Sequence, residues 1–245
     1  MNVPLPRNAA PAVQREAPED EIIEAIRGNA TTAYFGLFAM LLISTGFRRG
    51  EALALTWGDV DYKSKTTSCS KQVIFRNTAH IGDVKTKSGI RTVPLLSDLA
   101  KVLKRPKKAK DTDYVFPAVN SSFFSQSSFE RHWDHYCKDQ GFKVCVLEEP
   151  RVSQQKHKYI YREYKNTLTP HVLRHGYATM LYDAGVDAFT AQKLLGHAHI
   201  ETTLAVYTHL SQRKKDESIQ KLTAYVKNGY TTKQSKKSAK NKEIA

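Results

Sequence analysis

Six side chains stand out for the chemistry their types and spacing permit. They are Arg48 in Thr-Gly-Phe-Arg-Arg-Gly-Glu (45–51), Lys85 in Lys-Thr-Lys-Ser-Gly-Ile-Arg (85–91), His171 and Arg174 in His-Val-Leu-Arg-His (171–175), His197 in Leu-Leu-Gly-His (194–197) and Tyr207 in Val-Tyr-Thr-His (206–209). Taken singly, each has an ordinary explanation. An arginine after a helix-ending glycine is usually a surface residue, a lysine in a hairpin is usually solvated, and a tyrosine on a helix usually belongs to the core or its boundary. The His171/Arg174 pair says more, because two residues three apart on a helix share one face and can grip a single anion.

Together the six suit phosphoryl transfer. A phosphodiester attacked at phosphorus gathers charge on its non-bridging oxygens, and the planar donor forks of Arg48 and Arg174 match those oxygens. Tyrosine titrates near pH 10, so only about a thousandth is phenolate at neutral pH. A Tyr207 nucleophile therefore needs a positive surround or a base, and His171 is the candidate for handling its proton. The leaving 5′ oxygen departs poorly unless protonated, a task for a hairpin lysine such as Lys85. His197 is suited to hydrogen-bonding the phosphate. Lys87, two residues along, is the alternative acid. Glu51 is placed to brace Arg48 or the neighbouring backbone. No acidic cluster of the kind that holds Mg²⁺ stands near these positions, so arginine takes the metal's role. The expectation is a reaction without metal, nucleotide or other cofactor.

The elements that must position these groups are mainly helical. Pro18-Glu19-Asp20-Glu21 puts acids at the first turn of a helix through Ile26 that Gly28 ends. Thr31 or Thr32 is expected to cap a buried helix over 33–45, stopped by Gly46, and a short helix follows at 50–57. Alternating runs at 71–76, 80–85 and 90–95 predict one small antiparallel sheet. Helices resume at 97–104 and 127–141. After two less regular strands (142–147 and 159–164), helices are predicted at 171–184, 188–195, 199–207 and about 211–227. The class is mainly α with a small antiparallel β-sheet, an α+β chain.

Bulk properties narrow the partner. The 245 residues carry a net charge of +14, and six lysines against Glu243 in 227–245 account for +5 of it. The remaining +9 favours a polyanion, since lysines and arginines that displace phosphate counterions gain binding free energy. Three scattered cysteines make neither a disulfide framework nor a zinc cluster and fit a reducing compartment. The apolar run at 33–43 is about half a membrane span, and residues 1–20 lack the pattern of a signal peptide. A cytoplasmic protein with no membrane partner is expected.

The order and wording of these strings resemble the catalytic domain of the tyrosine recombinases, the phage integrase family. Residues 45–60 are similar to the family's first-arginine block, 85–95 to its β-hairpin lysine segment, and 169–175 and 194–209 to its two remaining blocks. The likeness runs from about residue 19 to 225. It implies the tyrosine recombinase catalytic-domain fold, with Arg48, Lys85, His171, Arg174, His197 and Tyr207 as the catalytic set. It also implies strand exchange through a covalent 3′-phosphotyrosyl intermediate, with double-stranded DNA as partner and a homotetramer on two DNA sites. A directionality or accessory DNA-binding protein is a further expected partner, and the setting is bacterial or phage-encoded.

By this reading residues 1–17 are a linker, 18–226 the catalytic domain and 227–245 a basic tail. The chain leaves no room for the N-terminal helical domain that family members usually carry. Gly176-Tyr177 stands where Thr-Phe is frequent, a change expected to concern packing. Residues 142–168 form an insertion, read as a β-hairpin whose cations touch the DNA backbone or as a solvated surface excursion. The expected DNA contacts are Lys87, Arg91, Lys156, Lys158 and Arg162. Two other readings keep the fold: a type IB topoisomerase-like relaxing enzyme, and a DNA-binding regulator without chemistry.

Overall fold

A computed structural model of the chain describes residues 17–76, 78–118, 123–152 and 158–242. The expected linker at 1–17 lies outside these residues except for Ala17. The chain divides into two units, Met1–Ala198 and His199–Ala245, a division that falls within the span 18–226 expected as one domain.

The first unit opens with helix α1 (Asp20–Asn29) and continues into α2 (Gly36–Thr45). The capping expectation for α2 is not met. The helix begins three residues later than predicted, behind Phe35 at φ 69°, and no side chain caps it. The turn is instead built around Asn29, which donates from Nδ2 to Gln140 Oε1 (2.8 Å) and accepts from Tyr136 Oη (3.1 Å). Buried apolar side chains surround α2, so its sequence shows no polar stripe. Helix α3 (Arg49–Leu53) follows after Phe47 and Arg48.

The expected single sheet is two. Strands β1 (Val60–Asp61) and β2 (Thr66–Cys69) were not anticipated; they join β5 (Arg91–Pro94) in the order β1-β2-β5. Strands β3 (Lys71–Arg76) and β4 (Thr78–Asp83) form a separate antiparallel pair. Thr66–Cys69 is too short and too polar to show its alternation in sequence, yet Thr67 and Cys69 point into the core. Between β4 and β5 a short 3-10 turn, Lys87–Gly89, carries the chain from one sheet to the other.

Helices α4 (Ser97–Val102) and α5 (Gln126–Asp139) complete this half. The insertion is an antiparallel hairpin of β6 (Lys143–Val152) and β7 (Lys158–Asn166), with a bulge between Cys145 and Leu147. Helices α6 (Pro170–Asp183) and α7 (Ala188–Leu195) end the unit, and both carry side-chain N-caps. Thr169 accepts from Val172 N, and Asp187 accepts from Phe189 N and Thr190 N, the arrangement that satisfies otherwise orphaned N–H groups. The core is continuous from Ile26 through α2, the β2–β5 sheet and α5 to Leu173 on α6. Tyr177 is buried against Gly46, where a side chain would have no room, so the Gly176-Tyr177 departure is a packing feature.

The second unit is one helix, α8 (Ile200–Lys242), in place of the two predicted. Nothing between Ile200 and Asn228 is Gly or Pro, so no residue there stops the helix. It continues through the stretch expected as a basic tail. Among the described residues no helix is long and apolar enough to cross a membrane.

Candidate active site

The first-arginine block places Arg48 immediately before α3, in extended backbone at φ −70° and ψ 154°. The Glu51 carboxylate accepts from Arg48 N (2.8 Å) and from Arg48 Nη1 (2.8 Å), so one side chain caps the helix and aims the guanidinium. Arg48 Nη2 also donates to Gly196 O at 3.3 Å. Glu51 is buried, and its other cation is Arg91, whose Nη2 donates to Oε2 at 2.7 Å. Burial alone would raise the Glu51 carboxyl. The hydrogen bond and charge of Arg91, with those of Arg48, outweigh it and hold the group at about 2.

Arg91 corrects an expectation. Read from sequence as a DNA contact, it is 8% exposed, and its donors reach Leu194 O (2.8 Å), Gly89 O (3.1 Å) and Glu51. Its charge also lies over the Phe47 ring, 5.0 Å from the centroid. Arg91 is therefore a brace that ties β5 to the end of α7 and steadies the carboxylate that aims Arg48. Arg91 and Val93 occupy the same face of a strand whose burial alternates.

Arg174, on α6, is buried, and its Nη1 donates to Gly46 O at 2.6 Å while Nη2 donates to Leu195 O. Both acceptors are neutral carbonyls at helix ends. Burial, then the charge of Arg48, pushes its guanidinium down to about 9. It stays charged at neutral pH but carries a desolvation cost that a bound anion would offset. His197 follows Gly196, the αL residue that closes α7 at φ 66°. A Cβ at Gly196 would stand 2.8 Å from Arg91 Nη1 and 3.0 Å from Ser88 O, so this glycine is required by conformation and by space. Burial, then Arg174, Arg48 and Arg91, lowers the His197 imidazole to about 3. It is neutral at physiological pH and carries one ring N–H.

Arg48, Arg174 and His171 share a cleft of about 620 Å³ lined also by Arg49, Thr167 and Pro170. The N-terminus of α6 forms part of that wall, and its positive dipole end adds to the attraction for an anion. The His171 ring lies 4.8 Å from that of His175, edge to face. Arg48 and Arg91 thus pair with Glu51 while Arg174 meets only carbonyl oxygens, leaving an excess of positive charge around the cleft.

The remaining expected residues belong to other elements. Lys85 is exposed in the loop after β4, and Lys87 is exposed in the 3-10 turn, not along the same strand. Lys158 and Arg162 are exposed on β7, and Arg162 is already paired with Glu148 through Nε–Oε2 at 2.9 Å. Lys156 falls outside the described residues. Tyr207 belongs to α8, in the second unit. Arg49, which sequence reasoning passed over beside Arg48, is the cleft residue that was missed.

Comparison with known proteins agrees with the geometry. The model of the phage integrase family matches residues 14–214. The chain is 30% identical over 218 residues to a tyrosine recombinase XerC-like protein of Caldanaerobacter subterraneus subsp. tengcongensis, covering 82% of this chain and 51% of that one. It is 29% identical to the ICEBs1 integrase of Bacillus subtilis, covering 77% and 48%. It is also 26% identical to the transposase from transposon Tn916 of Enterococcus faecalis, covering 80% and 47%. The chain spans about half the length of these curated relatives. In fold it is similar to the Tn1549 transposon integrase, solved in complex with transposon right end DNA. The TM-score is 0.62 at 21% identity, over 86% of this chain and 67% of that one. The XerA recombinase crystal structure gives a TM-score of 0.57 at 23% identity, over 90% and 69%.

Proposed function

Because the chain belongs to the phage integrase family, we propose that it is a site-specific DNA recombinase that cuts and rejoins strands through a covalent 3′-phosphotyrosyl intermediate on Tyr207. The observation that carries this reading is the surplus of positive charge around the cleft, where Arg48 and Arg91 pair with the Glu51 carboxylate and Arg174 has only carbonyl oxygens as acceptors. A phosphodiester is the ligand that such a set of donors suits.

In this mechanism Arg48 and Arg174 donate to the non-bridging oxygens, and neutral His197 adds an N–H. Tyr207 Oη attacks phosphorus while His171 accepts the phenol proton. The bond to the 5′ oxygen breaks, and that oxygen takes a proton from Lys85, whose exposed loop position leaves the ammonium reachable. A 5′ hydroxyl from a partner strand then returns a proton to Lys85 as it attacks phosphorus, the bond to Tyr207 Oη breaks with the phenol regaining its proton from His171, and the phosphodiester re-forms. One phosphodiester replaces another, so no nucleotide is consumed, and arginine rather than a metal meets the developing charge.

Double-stranded DNA is the proposed partner, contacted at the surface by Lys87, Lys158 and Arg162 and by Lys156. Arg91 leaves that set because its donors are taken within the protein. A homotetramer on DNA is supported by the exposed apolar residues Ile219, Leu222, Tyr225 and Val226 on α8, a stripe suited to a neighbouring protomer. Integration or excision of a mobile element, with an accessory directionality protein and in the bacterial cytoplasm, fits the ICEBs1 and Tn916 relatives.

The test is a suicide substrate. Nicked DNA from the candidate attachment site is expected to give an SDS-resistant adduct with the wild-type chain and none with Tyr207→Phe. An adduct that survives in Tyr207→Phe overturns the assignment of the nucleophile.

A further inference from the structure

Arg49 follows Arg48 directly, yet its surroundings differ. Its guanidinium carbon lies 4.4 Å from the centroid of Phe75 on β3 and 5.2 Å from that of Phe129 on α5. The side chain is half-buried and forms part of the cleft wall beside Arg48, His171 and Arg174. It makes no hydrogen bond and no salt bridge to any described residue; Glu130 acts on it through charge alone. Arg48, Arg91 and Arg174 all have their forks engaged by carboxylate or carbonyl oxygens.

Two aromatic rings account for the position of the charge but not for its donors. Rings interact with a guanidinium through their faces, while its five N–H groups project in its own plane and need oxygen acceptors. A half-buried cation with no acceptor bears a desolvation cost, and burial lowers its pKa accordingly. The alternative is a purely structural role, in which the cation–π contacts pin α3 between β3 and α5 and water serves the donors.

We propose that Arg49 binds a second DNA backbone phosphate, the neighbour along the strand of the one held by Arg48 and Arg174. This rests on the DNA-recombinase reading above. The chemistry follows from placement. Phosphates recur along one strand about every 3.4 Å of helix axis, so a cation one residue from Arg48, on the same wall, meets the adjacent phosphate. The planar fork suits two phosphate oxygens, and the rings hold it ready without using its donors.

The experiment measures binding of the full chain to a short fluorescein-labelled duplex of arbitrary sequence over a range of NaCl concentrations. Arg49→Gln is expected to flatten the slope of log affinity against log salt by about 0.9, the contribution of one neutralised phosphate. Arg48→Gln should flatten it by a similar amount and the double variant by about twice that. Arg49→Lys, which keeps the charge without the fork, should restore the slope. The melting temperature of free Arg49→Gln should hold, because the half-buried guanidinium has no oxygen acceptor to lose and its removal relieves a desolvation cost. A fall in melting temperature with an unchanged slope establishes the structural role and overturns the inference. A slope lost equally in Arg49→Lys does the same. A double variant no flatter than Arg48→Gln places both arginines on one phosphate and also overturns it. Absence of salt-dependent binding by the wild-type chain defeats the DNA reading itself, a result distinct from these.

Discussion

The cleft and the β6–β7 hairpin both carry arginines paired with glutamates, and they use them in opposite ways. In the cleft, Glu51 is 3% exposed and binds Arg48 and Arg91 from elements far apart in sequence. On the hairpin, Arg162 meets Glu148 across the strands, and Arg151 meets Glu149 two residues away while lying over Tyr161. The hairpin pairs are open to water, where each contributes little. The Arg91–Glu51 pair is desolvated on both sides, so losing one partner leaves a charge with no solvent to replace it. The same chemical pair decorates one region and holds the other in a single geometry.

The largest expected effect tests that contrast directly. Glu51→Gln should lower unfolding stability by about 3–5 kcal/mol, the range for breaking a buried pair, while Glu148→Gln, at a pair open to water, should leave it nearly unchanged. Urea denaturation of both variants measures this, and equal losses would dissolve the distinction. Next, Arg174→Lys keeps the charge but not the fork that reaches Gly46 O and Leu195 O. Adduct formation should slow by about 100-fold or more, as for a lost donor to a developing oxyanion. Arg162→Lys should slow it less than about twofold. A comparable loss from both would mean the hairpin arginine belongs to the reaction.

Acid should destabilise the fold through two groups around the cleft. Glu51 is held at about 2 against an ordinary 4.5. Its contribution, roughly 3 kcal/mol, is complete above 4.5 and disappears as pH falls toward 2. His197, held at about 3 against 6.5, is neutral when folded, so its contribution is complete above 6.5 and declines on acidification toward 3. Both signs predict falling stability from pH 6.5 downward. Glu51→Gln should flatten the lower part of that profile, measured by melting temperature against pH; an unchanged profile would show that other groups govern it.

The smallest effect compares two glycines with positive φ. Gly141, between α5 and the hairpin, has nothing within 4 Å of the point where a methyl group would stand, whereas Gly196 has Arg91 and Ser88 close by. Gly141→Ala should therefore cost only the backbone term, about 1–2 kcal/mol. Gly196→Ala should cost more and also slow adduct formation, since its carbonyl accepts from Arg48. Equal stability losses and undisturbed activity would remove Gly196 from the positioning network.

Much of the site is legible in the residues because its requirements are local. Thr169 and Pro170 start α6, and the three-residue spacing of His171 and Arg174 is set by that helix. The glycine before His197 closes α7. The role of Glu51 in bracing Arg48 follows from their separation of three across a helix start. Lys87 and Arg91 were harder. Both stand in a basic string, and only chain direction in space separates an exposed 3-10 turn from a buried strand position.

The sequence by itself determined that the chain is mainly helical, which charge excess it carries and which blocks resemble a known family, since periodicity and composition act over a few residues. Tertiary structure alone decided that β5 pairs with β2 while β3 and β4 pair with each other. It also decided that Arg91 turns inward to Glu51 and Leu194, and that Arg49 sits between Phe75 and Phe129. Those outcomes depend on contacts across tens of residues, where burial fixes the meaning of a charge and no local pattern records it.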